Sequence, residues 1–237
     1  MKWPSKSPAR SARGSEPETG RHGELVATDL IEIDAEKPSS LAIERAAAAI
    51  RRGEVVAIPS DALYILVADP LNLHAAGRVF AAKGREAQRS LPLLVGDIVM
   101  AEELGKELPA RFYRLARRFW PGPLTIIAPA SSRVPLKVTG NTGRLAMRQS
   151  RSKVATALIE RLSQPLIATS ANISGQPTCT NGIEVFGTMD GRIDLVLDAG
   201  HISGSGATTI DVTEPYWKII REGAILEREI AEVLKGT

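Results

Sequence analysis

A chain of 237 residues, 43% hydrophobic and 24% charged, is long enough to bury one sizeable core and has the composition of a globular protein. Its one cysteine, Cys179, excludes an internal disulfide framework and a thiolate metal cluster, and fits a reducing compartment. The formal net charge of +3 lies in the first 23 residues, where five basic residues face only Glu16 and Glu18; the rest carries 25 basic and 25 acidic residues and needs no nucleic acid on charge grounds.

Residues 1–23 are rich in Ser, Pro, Gly, Arg and Glu and hold almost nothing to bury, so they are expected to be a disordered basic extension ahead of one folded domain over 24–237. No secretory apolar run and no bilayer-length stretch is visible; a cytoplasmic location without a membrane partner is expected. Residues 30–33 read as a strand and 41–52 as a helix stopped by Gly53. The β-branched run over 54–59 is a buried strand leaving into Ser60-Asp61, the strand-to-loop exit where open α/β sheets place ligands. A helix over 72–82 delivers Lys83-Gly84-Arg85, and a strand over 91–95 follows. Helices are expected at 98–104 and 109–119. The second carries Arg111, Arg114, Arg117 and Arg118 as a solvated stripe.

Trp120-Pro121-Gly122-Pro123 breaks that helix, and strands follow at 124–128 and 143–148. A helix over 154–162 precedes a buried strand over 165–169, which exits into Ser170-Ala171-Asn172. The remainder reads as a short helix (181–186), a strand (194–197), a Gly/Ser loop (200–206), an antiparallel pair (208–212 with 217–220) and a closing helix (227–234). The pattern is one α/β domain with a twisted, mixed sheet.

Individual motifs carry two readings each. Lys83-Gly84-Arg85 is a basic helix end favoured by the macrodipole, or two cations set for a polyanion. Ser170-Ala171-Asn172 is a turn, or a cradle of hydroxyl, amide and free N–H groups for phosphate. Gly200 to Gly206 is neither a Rossmann nor a Walker loop, since no helix follows it and no Gly-Lys-Ser/Thr occurs. His22, His74 and His201 show no ligand spacing, Cys179 has no evident base, and Asp61 and Asp69 read as turn residues; no protein metal site is expected.

Taken in order, the segments resemble the threonylcarbamoyl-AMP synthase family of the YrdC type. Val55 to Tyr64 is similar to its opening Pro-Thr-Asp-Thr-x-Tyr strand. Lys83-Gly84-Arg85 and Ser170-Ala171-Asn172 are similar to its Lys-x-Arg and Ser-x-Asn signatures. Phe119 to Thr125, the Arg-bearing strand 143–148, and the closing segments 195–200, 208–213 and 220–223 follow in family order. The resemblance implies a single YrdC-like domain: a twisted mixed sheet flanked by helices around a concave basic cavity. It implies that L-threonine, bicarbonate and ATP, with Mg2+ carried on the ATP, give threonylcarbamoyl-AMP and pyrophosphate for modification of tRNA position 37. RNA or tRNA-modifying partner proteins are the further partners it allows.

By the same resemblance Lys83, Arg85, Ser170 and Asn172 are the catalytic set. Arg144, Ser174, Thr178 and Arg221 join them on the nucleotide, and Ser60, Tyr64, Arg148, Ala168 and Thr208 meet the amino acid. The chain departs from the family pattern at Ala62 and Ala207, which lack its hydroxyls, and at Ile65 and Ser150, which replace a Gly and a Pro. Two other readings stay open beside the first: a paralogue adenylating another carbamate or carboxylate, and a double-stranded-RNA-binding module without turnover.

Overall fold

The computed structural model describes residues 27–85 and 89–235. The extension expected at 1–23 lies outside the described residues. Ten strands form one mixed sheet in the order β1-β8-β2-β3-β7-β4-β6-β5-β9-β10. They are β1 (Asp29–Glu32), β2 (Val56–Pro59), β3 (Tyr64–Ala68), β4 (Leu93–Leu94), β5 (Leu124–Pro129), β6 (Arg144–Arg148), β7 (Leu166–Ser170), β8 (Leu195–Asp198), β9 (Thr208–Asp211) and β10 (Lys218–Arg221).

The central strands β2 and β3 are buried on both faces, which explains their unbroken apolar runs. Along β2, Ala57 faces a core with α2 (Leu73–Lys83), α4 (Ala110–Phe119), α7 (Gly182–Met189) and α8 (Glu227–Leu234). Val56 and Ile58 face a second core with α1 (Ser40–Arg51) and α6 (Lys153–Leu162). Period-two alternation thus serves two apolar layers instead of one apolar and one wet face. Short helices α3 (Ile98–Leu104) and α5 (Leu136–Thr139) complete the set among the described residues.

Three features differ from the expectation. The segment after Ser60-Asp61 is not an open loop: it turns back at once into β3, with Pro59 opposite Tyr64 in an antiparallel pair. Because β3 is buried at all five positions, no alternating pattern announced it. The expected strand at 91–95 shrinks to the two residues of β4, held between β6 and β7. The arginines of α4 are also not simply solvated. Arg111 donates to the carbonyls of Val212, Glu214 and Pro215, and Arg114 to that of Lys235, binding the C-terminal elements to α4.

Candidate active site

The Lys-Gly-Arg turn sorts its two cations to different places. Gly84 caps α2 in the left-handed region (φ 56°), where glycine is the least strained residue. Lys83, only 3% exposed, turns inward. Its ammonium donates to the carbonyl of Ser170, to the Asn172 carbonyl at 2.9 Å and to Asn172 Oδ1 at 3.2 Å. Burial, and then the charge of Arg85, push its pKa down to about 8. Ser174 N–H donates to the Lys83 carbonyl at 2.9 Å, and Ser174 itself is exposed. Lys83, Asn172 and Ser174 therefore join the end of α2 to the exit of β7.

Arg85 goes the other way. It lines a cavity of about 350 Å3 whose wall also includes Arg148, Arg221 and Ser170 and, among the described residues, contains no carboxylate. Its Nε is buried without a hydrogen-bond partner, a costly condition that an anionic ligand would relieve. Arg221 lines the same cavity, with Nε and Nη2 both donating to the Ala207 carbonyl, at 3.2 and 2.8 Å. It also borders a second hollow of about 580 Å3 that includes Thr178, His201 and Gly204 and shares Ala62 and Leu63 with the first.

Arg148 is fixed on two sides. Its Nε donates to the Gly122 carbonyl at 2.9 Å, and its Nη2 makes a close ion pair with Asp61. Burial raises the Asp61 pKa, but the Arg148 charge and the Ser150 hydroxyl outweigh it and hold the carboxyl below its usual range.

Ser60 and Ala168 both line the cavity. The Ser60 hydroxyl is already engaged in its own turn, donating to the Leu63 carbonyl and accepting from the N–H groups of Ala62 and Leu63.

Three expected residues stand elsewhere. Tyr64 is 1% exposed; its hydroxyl lies 2.8 Å from the Gly200 carbonyl and 3.1 Å from Asp198 Oδ1, and accepts from Ala199 N–H. It anchors the 200–206 loop instead of reaching the cavity, and burial followed by the Asp198 charge pushes its pKa up to about 12. Thr208 bonds back to Ile225, donating to its carbonyl at 2.7 Å and accepting from its N–H at 3.0 Å. The neighbouring Thr209 lines the cavity in its place, as strand alternation requires. Arg144 sits at the opposite end of β6 from Arg148, roughly 13 Å away at strand rise, and pairs with Asp211 and Glu214. Sequence reasoning missed Ser90, Thr125, Thr169 and Thr209 on the cavity wall, and singled out Ser150 there only as the replacement of a family Pro. The alternation of Thr208 and Thr209 was the one signal that pointed to any of them.

Fold and site together define a mixed α/β protein whose central cavity joins arginines and hydroxyls at the turn after β2 and the ends of α2, β6, β7 and β10. The Sua5/YciO/YrdC family model, described as "Telomere recombination", matches residues 48–223. The threonylcarbamoyl-AMP synthase of Pyrococcus abyssi is 39% identical over 193 residues, covering 81% of this chain and 57% of that one. That of Halorhodospira halophila is 35% identical over 162 residues, covering 68% and 84%. The structure of P. abyssi Sua5 complexed with L-threonine superposes with a TM-score of 0.84 at 37% identity, over 88% of this chain and 61% of that one. Escherichia coli YciO, at 23% identity and a TM-score of 0.77, shares the fold.

The chain belongs to the Sua5/YciO/YrdC family. It spans little more than half the length of its P. abyssi and Bacillus subtilis relatives.

Proposed function

We propose that this chain is an L-threonylcarbamoyladenylate synthase. Threonine and bicarbonate give the N-carboxylate with loss of water. A carbamate oxygen then bonds to the α-phosphorus of ATP, and the bond from that phosphorus to the bridging oxygen breaks, its electron pair leaving with pyrophosphate. The product would serve modification of tRNA position 37. The observation that carries this reading is the cavity itself: Arg85, Arg148 and Arg221 line one space. Relatives named threonylcarbamoyl-AMP synthase and the L-threonine complex of P. abyssi Sua5 support it.

In this reading Arg85 and Ser170 meet the triphosphate, with Arg221 between the cavity and the second hollow. Fixed cations there would neutralise charge developing on the leaving pyrophosphate. Arg148 forks onto the threonine carboxylate through the N–H groups that Gly122 and Asp61 leave free. Lys83 and Asn172 act from behind, holding the Ser170 loop. No side-chain nucleophile is needed; holding the carbamate against the α-phosphate supplies most of the rate. Among the described residues the cavity wall offers no carboxylate for a resident metal, and in this reading magnesium comes as the counter-ion that ATP brings.

The test is pyrophosphate release from ATP and bicarbonate with and without L-threonine. Threonine-dependent release supports the reading. Release with a different amino acid only would make the chain a paralogue. Absence of nucleotide binding together with salt-sensitive RNA binding would replace it with the RNA module.

A further inference from the structure

The segment after β6 contains a hydroxyl that neither the nucleotide nor the amino-acid assignment uses. Ser150 is 5% exposed yet lines the cavity. Its Oγ donates to Asp61 Oδ1 at 2.6 Å and accepts from Ser152 N–H at 3.1 Å. The same Asp61 oxygen receives Arg148 Nη2, and its other oxygen receives Arg151 N–H at 3.3 Å. The Arg151 guanidinium is turned away to the Pro121 carbonyl. Ser152 closes the group, since its Oγ donates to the Pro59 carbonyl at 2.9 Å and caps α6 through Ala155 N–H.

The turn after β2 is therefore clamped onto the start of α6, and Asp61 is the piece that reaches Arg148. Ala62, on that turn, has no hydroxyl to offer. A hydroxyl has one donor and two acceptor sites. Ser150 spends its donor on Asp61 and one acceptor on Ser152.

We propose that Ser150 is a positioning residue for the amino-acid substrate: its hydroxyl fixes Asp61, and Asp61 fixes the Arg148 guanidinium in the attitude that receives the substrate carboxylate. The proposal rests on the function proposed above for its substrate, though the Ser150–Asp61–Arg148 chain of contacts does not. A guanidinium held at Nε by Gly122 and at Nη2 by Asp61 has lost most of its rotational freedom before the ligand arrives. Pre-organisation of that kind appears in affinity for the amino acid and not for the nucleotide.

The experiment has two readouts on the full chain carrying Ser150→Ala, Ser150→Thr or no substitution. The first is a carbon-13 carboxyl titration of Asp61, assigned by its loss in Asp61→Asn. The second is steady-state pyrophosphate release with threonine and ATP varied separately. Removing one charge-assisted hydrogen bond should raise the threonine KM about tenfold. In Ser150→Ala the ATP KM and kcat should stay near the wild-type values, the Asp61 midpoint should rise, and the acid limb of kcat/KM should move to higher pH with it. Ser150→Thr should restore both.

An Asp61 midpoint that does not move, or a threonine KM that does not move, overturns the proposal. So does an ATP KM rising in step with that for threonine, the mark of a general loss of structure. Wild-type protein that turns over no amino acid would instead overturn the proposed function, while the Asp61 titration would still decide whether Ser150 holds that carboxylate.

Discussion

The Lys83 ammonium donates to both the main-chain and the side-chain oxygen of Asn172, at 2.9 and 3.2 Å, and so fastens the end of α2 to the exit of β7. The two signature motifs of the chain are thus one structural joint before they are a binding surface.

Lys83→Met should therefore lower stability. It leaves the buried Asn172 carbonyl short of a donor, a loss of about 1–3 kcal/mol. The pH dependence has a definite sign. The folded-state pKa is depressed to about 8 from 10.5, so the unfolded chain binds that proton more tightly. Stability from this group consequently rises with pH between about 8 and 10.5. Chemical denaturation at pH 7 and 9.5 should show the wild type gaining on Lys83→Met at the higher pH. An unchanged difference would mean that the ammonium titrates as if exposed.

Arg85→Ala should behave in the opposite way. Its Nε is buried and unpartnered, so truncation removes an unsatisfied buried group and leaves the melting temperature close to that of the wild type. ATP affinity should fall by roughly tenfold or more, as for other charged contacts to a ligand. Calorimetric titration with ATP would check this; unchanged affinity would take Arg85 out of the site.

Thr208→Val and Thr209→Val should part company. The first removes two buried bonds to Ile225 and should cost about 1–3 kcal/mol of stability with substrate KM values near wild type. The second, on the cavity wall, should raise a substrate KM with little change in unfolding. A thermal melt and a kinetic series on both variants would show it.

That pair also marks how much the sequence disclosed. Element order was legible almost throughout, because helices such as residues 72–83 carry caps and stops: Asn72 accepts from His74 and Ala75, and Gly84 ends the helix. β3 was not legible, since burial on both faces erases alternation. The cationic motifs were visible as motifs, but their division of labour was not. Which way Lys83 and Arg85 point depends on the left-handed turn at Gly84 and on a partner loop 87 residues away. Tyr64, Thr208 and Arg144 were assigned by motif position. Their destinations are set by strand alternation and by distant partners, Asp198, Ile225 and Asp211, that no local pattern displays.

Tyr64→Phe tests one such long-range hold. The hydroxyl organises Ala199 and Gly200 at the root of the loop bordering the second hollow. Its loss should lower stability by about 1 kcal/mol and weaken nucleotide binding through the loop. Thermal unfolding and ATP titration on the same variant would separate the two effects, and a variant equal to wild type in both would deny Tyr64 that role.

The decisive experiment is pyrophosphate release by the purified chain from ATP and bicarbonate, with L-threonine present or withheld. Release should depend on threonine and fall sharply in both Arg85→Ala and Arg148→Ala. Release that is indifferent to threonine, or equal in the wild type and both arginine variants, would contradict the proposed function.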